Sequence, residues 1–120
     1  MVVCLVEDDK TVLSLLAELL EKHGHVPKPV LITHGDSLDT ALARIQETAA
    51  RVVVLDLGMP VPGLDILTSA QADGRFDGVR WVIATASLDG GRAVPRSPAV
   101  TRVAKPYDFD ELLRVLGDGA

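Results

Sequence analysis

Four short apolar runs in this chain end abruptly at a polar residue, and this feature limits the folds it can adopt. The clearest run is Val52 to Leu55, which leads directly into Asp56. The others cover residues 2–6, 79–84 and 100–104. Continuous aliphatic runs of this length are typical of strands buried on both faces of a parallel sheet. If the strands are parallel, the residues that follow them meet at one edge, where open α/β sheets bind ligands.

Segments with helical periodicity lie between the runs. The first predicted helix extends from about Lys10 to Gly24, and Asp9 is either its N-cap or a further acid of a metal site. The second is opened by Asp36 or Ser37. The predicted apolar stripes of the first three helices are Val12, Leu15, Leu16, Leu19 and Leu20, then Leu38, Ala41, Leu42 and Ile45, then Leu64, Leu67 and Ala70.

The remaining turn signals define the ends of the later elements. Asp73 and Gly74 close the third helix, and the pair Asp108 and Glu111 forms a capping-box pattern at the start of the last one. Between the fourth and fifth strands, residues 87–98 contain two glycines and two prolines. We therefore expect a loop or a single turn there, which makes the fourth helix a degraded one.

Two prolines predict the position of the second strand, residues 26–33. Pro27 and Pro29 lack the N–H group that a central strand donates to its neighbour, so this strand belongs at an edge of the sheet. Alternating strands and helices with an outermost second strand favour a flavodoxin-like doubly wound fold. The predicted architecture is a five-stranded parallel sheet in the order 2-1-3-4-5.

Length and composition are typical of one globular domain, which we expect to span residues 1–120. The formal net charge of -5 and the lack of a basic stripe argue against direct nucleic acid binding. Cys4 lies within the first apolar run and is expected to be a small buried hydrophobe. Because no segment resembles a membrane span or a signal peptide, the predicted location is cytoplasmic, with no membrane partner.

Three acids are predicted to converge at the edge of the sheet. Strands 1 and 3 are neighbours in the predicted order, which brings Glu7, Asp8 and Asp56 together. Carboxylates at close quarters repel one another, and a hard divalent cation with oxygen ligands, best Mg²⁺, relieves that repulsion. Such a cation could also neutralise the charge of a transferred phosphoryl group while Asp56, as the nucleophile, attacks it to give an acyl phosphate.

Two further strand ends extend this site. Lys105 follows the fifth strand and would pair as a point charge with Asp56 or with the phosphoryl group. Thr85 ends the fourth strand and could donate a hydrogen bond to a phosphoryl oxygen. That bond would exist only after phosphorylation, so it could bias two conformations of the domain.

With these residues in place, the chain resembles the receiver domain of two-component response regulators over essentially its full length. The motifs that carry the resemblance are Val6-Glu7-Asp8-Asp9, Val54-Leu55-Asp56-Leu57-Gly58-Met59-Pro60, Thr85-Ala86 and Lys105-Pro106. The resemblance implies that Asp56 is the phosphoacceptor, with a sensor histidine kinase or a phosphotransfer protein as donor. It implies that Asp8 and the Gly58 carbonyl bind Mg²⁺ directly and that Glu7 acts through water.

The resemblance also implies a signalling module rather than an enzyme, although such domains assist their own phosphorylation and dephosphorylation. Its output would pass through a downstream protein partner. The sequence departs from the family pattern in three places. The loop after Asp56 is one residue short and holds two prolines, Arg102 replaces the aromatic switch residue of many members, and the fourth helix is degraded.

An alternative function uses the same fold without phosphorylation. A receiver-like protein-binding module could signal without phosphorylation, through the altered loop after Asp56 and the missing fourth helix. Retention of every acid and of Lys105 argues against it. An aspartyl phosphatase would need a second acid two residues after the nucleophile, where this chain has Gly58.

Overall fold

The computed structural model describes residues 1–59, 61–85, 99–104 and 108–117, with Thr85 and Ala104 described by their backbone alone. Within these ranges, five strands and four α-helices are present, together with one 3₁₀ helix, Gly74–Phe76. The bounds are β1 Val2–Glu7, α1 Lys10–Lys22, β2 Val26–Leu31, α2 Leu38–Glu47, β3 Val52–Asp56, α3 Gly63–Gln71, β4 Arg80–Thr85, β5 Val100–Ala104 and α4 Phe109–Gly117. No helix in these ranges is long and apolar enough to cross a membrane.

All strand pairs are parallel, and the strand order is β2-β1-β3-β4-β5. This confirms the flavodoxin-like doubly wound sheet. Strands β1 and β3 lie side by side, with Val6 opposite Leu55. The last residues of these two strands, Glu7 and Asp56, therefore lie side by side at the carboxyl edge of the sheet. The degraded fourth helix was predicted for residues 87–98, which lie outside the described ranges.

The sheet separates two apolar clusters because successive side chains of a strand point to opposite faces. Cys4, Val6 and Leu55 face the cluster under α2 and α3, which also holds Trp81 and Phe76. On the other face, a second cluster packs under α1 and α4; its central members are Val3, Leu5, Leu16, Leu20, Val54, Val82, Leu112 and Leu116. Both faces of the central strands are buried, as continuous apolar runs predict.

Helix α1 buries a different stripe from the predicted one. Leu13, Leu16 and Leu20 are buried, whereas Leu15 is 53% exposed. The prediction for Leu15 was therefore wrong, and Leu13 was missed. In a leucine-rich helix, two overlapping sets of apolar residues both have the spacings of three and four that a buried stripe requires. The sequence pattern of the helix alone does not show which of the two sets is buried. Packing against the sheet selects the set that includes Leu13.

The helix starts follow side-chain caps. Asp9 accepts hydrogen bonds from the N–H groups of Thr11 and Val12 at 2.9 and 3.2 Å, which confirms its role as N-cap. Of the two candidates for α2, Ser37 is the cap, since its Oγ accepts from the Thr40 N–H at 3.1 Å. The capping-box pattern of the last helix is confirmed on one side only: the Glu111 N–H donates to Asp108 at 3.2 Å.

Helix α3 also differs from its prediction. Ile66, Leu67 and Ala70 are buried, while Leu64 is only half-buried, so Ile66 was missed. The helix ends at Gln71, before the predicted stop. Asp73 instead caps the short 3₁₀ helix, where it accepts from the Arg75 N–H at 3.0 Å.

The prolines of β2 face away from the sheet. Val26 donates to the Met1 carbonyl and Ile32 to the Glu7 carbonyl, both at 2.9 Å, so the even-numbered N–H groups of this strand point to β1. The odd positions, Pro27 and Pro29, lie on the free edge. Strand β2 is thus the outermost strand, as predicted, and its exposed edge lacks donors at two successive outward positions. Edges of this kind resist pairing with another chain.

Restoring these donors should promote self-association. A Pro27→Val, Pro29→Val double variant gives the free edge two outward N–H groups, and we expect concentration-dependent dimers in sedimentation velocity where the parent chain has none. Lys28→Val is the matched control, because it adds the same side chain at a position whose N–H already faces β1. Equal association of the double variant and the control would contradict the role assigned to the prolines.

Candidate functional site

Three carboxylates converge at the carboxyl edge of the sheet. Glu7 ends β1, Asp8 follows it, and Asp56 ends β3. One carboxylate oxygen from each lies within 4.8 Å of the other two. Glu7 and Asp56 are buried, at 2% and 3% exposure, whereas Asp8 is exposed. The site is therefore an acidic pocket in which two carboxylates are buried and the third faces solvent.

The Glu7 carboxylate is held by the turn that follows it. Its Oε1 accepts hydrogen bonds from the N–H groups of Asp8 and Asp9, at 3.1 and 3.3 Å. These two N–H groups belong to the turn that leads into α1, where they precede the helical hydrogen bonds. Hydrogen bonds to the ionised carboxylate stabilise its charged form. The strand-to-helix turn thus fixes the direction of Glu7 as well as the path of the chain.

The Asp56 carboxylate is held in a similar way. Its Oδ1 accepts a hydrogen bond from the Gly58 N–H at 2.9 Å, which closes a tight turn just beyond β3. The Leu57 N–H donates to the Ala84 carbonyl at 3.2 Å and keeps this turn attached to β4. The backbone at Leu57 and Gly58 is therefore anchored, and glycine at position 58 places no side chain beside the Asp56 carboxylate.

Electrostatics favour a cation in this pocket. Burying ionised carboxylates is costly, and each nearby carboxylate adds repulsion that falls off with distance and with solvent screening. The side-chain donors that the described residues supply here are carboxylate oxygens, which suit a hard divalent cation such as Mg²⁺ better than a metal that prefers nitrogen or sulfur ligands. The residues that converge here thus fit the cation that the sequence predicts.

The shortened loop after Asp56 is anchored by apolar side chains. Met59 and Val61 are each 7% exposed and belong to the cluster under α2 and α3. The Gly63 N–H then donates to the Leu57 carbonyl at 3.3 Å, where α3 begins. Pro60 lies outside the described residues. The loop therefore returns to the strand end from which it started.

The other predicted site residues are described only in part. Thr85 ends β4, the neighbour of β3, and Ala84 lies opposite Asp56 in the register. Lys105 follows β5 directly and lies outside the described residues, as does the Pro106 of its motif. The roles of Thr85 and Lys105 therefore stay predictions. Arg102, which stands where many family members have an aromatic residue, is exposed on β5.

Cys4 has no part in this site. It lies in the middle of β1, buried in the cluster under α2 and α3. Burial raises the pKa of its thiol to about 12, so the reactive thiolate is scarce near neutral pH. This is the small buried hydrophobe that its position in the first apolar run predicts.

The described residues form a flavodoxin-like parallel sheet with three carboxylates at the carboxyl ends of β1 and β3, and a comparison with known families agrees with this architecture. Residues 3–117 match the family model described as response regulator receiver domain. The chain therefore belongs to the receiver domain family. Domains of this family are generally signalling modules of two-component systems. No curated protein sequence matches the chain.

Solved structures of similar fold include several receiver proteins. The chemotaxis protein CheY4 of Vibrio cholerae has a TM-score of 0.80 at 19% identity, over 98% of this chain and 96% of that one. A sensor protein from Polaromonas sp. JS666 has a TM-score of 0.80 at 24% identity, covering 98% and 93%. The receiver domain of the hybrid histidine kinase CckA has a TM-score of 0.75 at 21% identity, covering 98% and 97%. At these identities the likeness establishes the fold alone.

Proposed function

We propose that this domain accepts a phosphoryl group on Asp56, in an Mg²⁺-dependent reaction, and passes the signal to a protein partner. The donor is the phosphohistidine of a sensor histidine kinase or of a phosphotransfer protein. Membership of the receiver family supports this function. The cytoplasmic location stays a prediction.

One observation carries the proposal. Glu7, Asp8 and Asp56 present oxygens within 4.8 Å of one another, although Asp56 is far from the other two in the sequence. Structural acids at strand ends have no need to converge, and convergence of titratable groups at one edge of a sheet is typical of functional sites. The arrangement is thus better explained by binding a cation and an anionic group than by a structural role.

Glu7, Asp8 and Asp56 would hold the cation, together with the backbone carbonyl of Gly58. When bound, Mg²⁺ offsets the negative charge of the carboxylates and of the phosphoryl oxygens. The hydrogen bonds from the backbone to Glu7 and Asp56 hold these side chains in place before the cation arrives. Preorganisation of this kind reduces the entropy that is lost on binding.

In the transfer step, a carboxylate oxygen of Asp56 attacks the phosphorus atom of the phosphohistidine. The new P–O bond makes an acyl phosphate, and the P–N bond breaks with its electron pair on the imidazole nitrogen, which takes up a proton. Lys105 would contribute a positive charge beside the new phosphoryl group. The Thr85 hydroxyl would donate a hydrogen bond to a phosphoryl oxygen in the phosphorylated state only.

The test uses a small phosphodonor in place of the unidentified kinase. The purified chain, incubated with acetyl phosphate and Mg²⁺, should gain the mass of one phosphoryl group in intact-mass spectrometry. The gain should disappear when a chelator removes the cation, because the phosphoryl oxygens then approach three carboxylates without the positive charge of Mg²⁺. No gain in mass with Mg²⁺ present, or an equal gain with the chelator, would contradict the proposed function.

A further inference from the structure

Gly63, the first residue of α3, lies directly against the backbone of the proposed phosphoacceptor. A Cβ atom built on Gly63 would overlap the carbonyl oxygen of Asp56 and lie 2.8 Å from the Cα of Leu57. Carbon atoms that are not bonded to each other require more than 3 Å, so one of the two segments would have to move. Because both contacts are with backbone atoms, no side-chain rotation can relieve them.

The loop holds Gly63 in this position. Val61, two residues earlier, is buried in the cluster under α2 and α3, and the Gly63 N–H donates to the Leu57 carbonyl at 3.3 Å. One turn further along α3, Ile66 and Leu67 are fully buried. The start of the helix is thus held by the loop before it and by its own buried residues, so a side chain at position 63 would force the start of α3 and the Asp56–Leu57 peptide apart.

We propose that Gly63 is a positioning residue for the chemistry of Asp56. Its lack of a side chain lets α3 begin in contact with the Asp56–Leu57 peptide, and this contact sets where the Asp56 carboxylate lies relative to Glu7 and Asp8. The inference rests on the proposed function, since it concerns the same phosphoacceptor. Displacement of a reacting group by about 1 Å can slow a reaction about 100-fold, so a small shift of this peptide is sufficient for a large effect.

The first experiment compares Gly63→Ala with the parent chain in the acetyl phosphate assay. We expect the initial rate of phosphorylation to fall about 100-fold. In isothermal titration calorimetry, the affinity for Mg²⁺ should fall about 10-fold, as for changes that misalign metal ligands. Gly35→Ala is the matched control, because a Cβ at that position has no atom within 4 Å, and its rate and affinity should match those of the parent.

A second comparison separates positioning from stability. Leu67→Ala leaves a cavity at a fully buried position of the same helix and adds no atom beside the Asp56 backbone, so it destabilises the fold and should leave the rate unchanged at a temperature where it is folded. If Gly63→Ala phosphorylates within threefold of the parent rate, the inference is wrong. It is also wrong if Leu67→Ala, while folded by circular dichroism, loses as much rate as Gly63→Ala.

A third variant keeps the inference testable if Gly63→Ala does not fold. Val61→Ala loosens the loop that holds Gly63 in place and introduces no clash, and we expect its rate to fall about 10-fold. A parent-like rate for Val61→Ala would then overturn the inference. If the parent chain itself takes up no phosphoryl group, the proposed function fails. The Mg²⁺ affinities of Gly63→Ala, Val61→Ala and Gly35→Ala still decide the positioning role in that case.

Discussion

Asp56→Asn should abolish phosphorylation of the domain while leaving its fold intact. The carboxamide has no anionic oxygen to attack phosphorus, so we expect no gain in mass with acetyl phosphate and Mg²⁺ under conditions that phosphorylate the parent chain. The substitution keeps the size of the side chain. The Asn carbonyl oxygen can also accept the hydrogen bond from the Gly58 N–H that holds Asp56 at 2.9 Å.

The same variant should be more stable than the parent in the absence of Mg²⁺. It removes one negative charge from three carboxylates whose oxygens lie within 4.8 Å, and relief of that repulsion, less the attraction that Asp56 loses toward its predicted partner Lys105, should raise the free energy of unfolding by about 1 kcal/mol. Thermal unfolding in a chelating buffer measures this gain. Addition of Mg²⁺ should reduce the difference, because the cation stabilises only the domain that retains the full set of carboxylates.

Asp39→Asn provides the control for this prediction. Asp39 lies in the first turn of α2, outside the acidic pocket, and its side chain is exposed. The control also removes one negative charge, yet it should phosphorylate at the parent rate and show little change in stability. Phosphorylation of Asp56→Asn equal to that of the parent would show that another residue is the acceptor, and it would end the mechanism proposed for Asp56.

Trp81→Ala should cost about 3–5 kcal/mol of the free energy of unfolding, which makes it the largest single effect on stability that we expect. Trp81 is the only tryptophan of the chain and is 2% exposed on β4. Its ring packs against Phe76, with the centroids 6.0 Å apart and the planes inclined by 52°. Removing it leaves a large cavity under α3 and the 3₁₀ helix. Urea unfolding followed by circular dichroism measures the loss.

Two variants calibrate that loss. Phe109→Ala truncates an aromatic residue that is 43% exposed at the start of α4, and its cost should stay below about 0.5 kcal/mol. Trp81→Phe keeps a ring in the cavity and should cost less than Trp81→Ala. A loss for Trp81→Ala no larger than that for Phe109→Ala would show that the cluster refills the cavity, and the importance assigned to the ring pair would be wrong.

Single residues explain most of what the sequence predicted correctly about the fold. The prolines of β2 indicate an edge strand because proline has no N–H to donate, and this property does not depend on any neighbour. The aliphatic run that ends at Asp56 indicates a strand buried on both faces for an equally local reason. The edge position of β2 and the alternation of strands with helices together favour the observed strand order.

The predictions that depended on the choice between similar local patterns were less accurate. Leu13 and Leu15 both fit a helical stripe, and only the sheet under α1 decides that Leu13 is buried. In α3 the same ambiguity concealed Ile66. Neither error affects the strand order, because a rotation of a helix about its own axis by one residue position leaves the topology unchanged.

For the candidate site, the sequence by itself determined which side chains stand at the carboxyl ends of the strands. Parallel pairing of the strands then implied that Glu7, Asp8 and Asp56 lie close together. Only the tertiary structure decided how they are held, through hydrogen bonds from turn N–H groups, and revealed Gly63 beside the Asp56 peptide. The physical reason is that strand-end chemistry depends on residue identity and topology. Contacts between backbones distant in sequence depend on distances of a few tenths of an ångström, which local patterns do not encode.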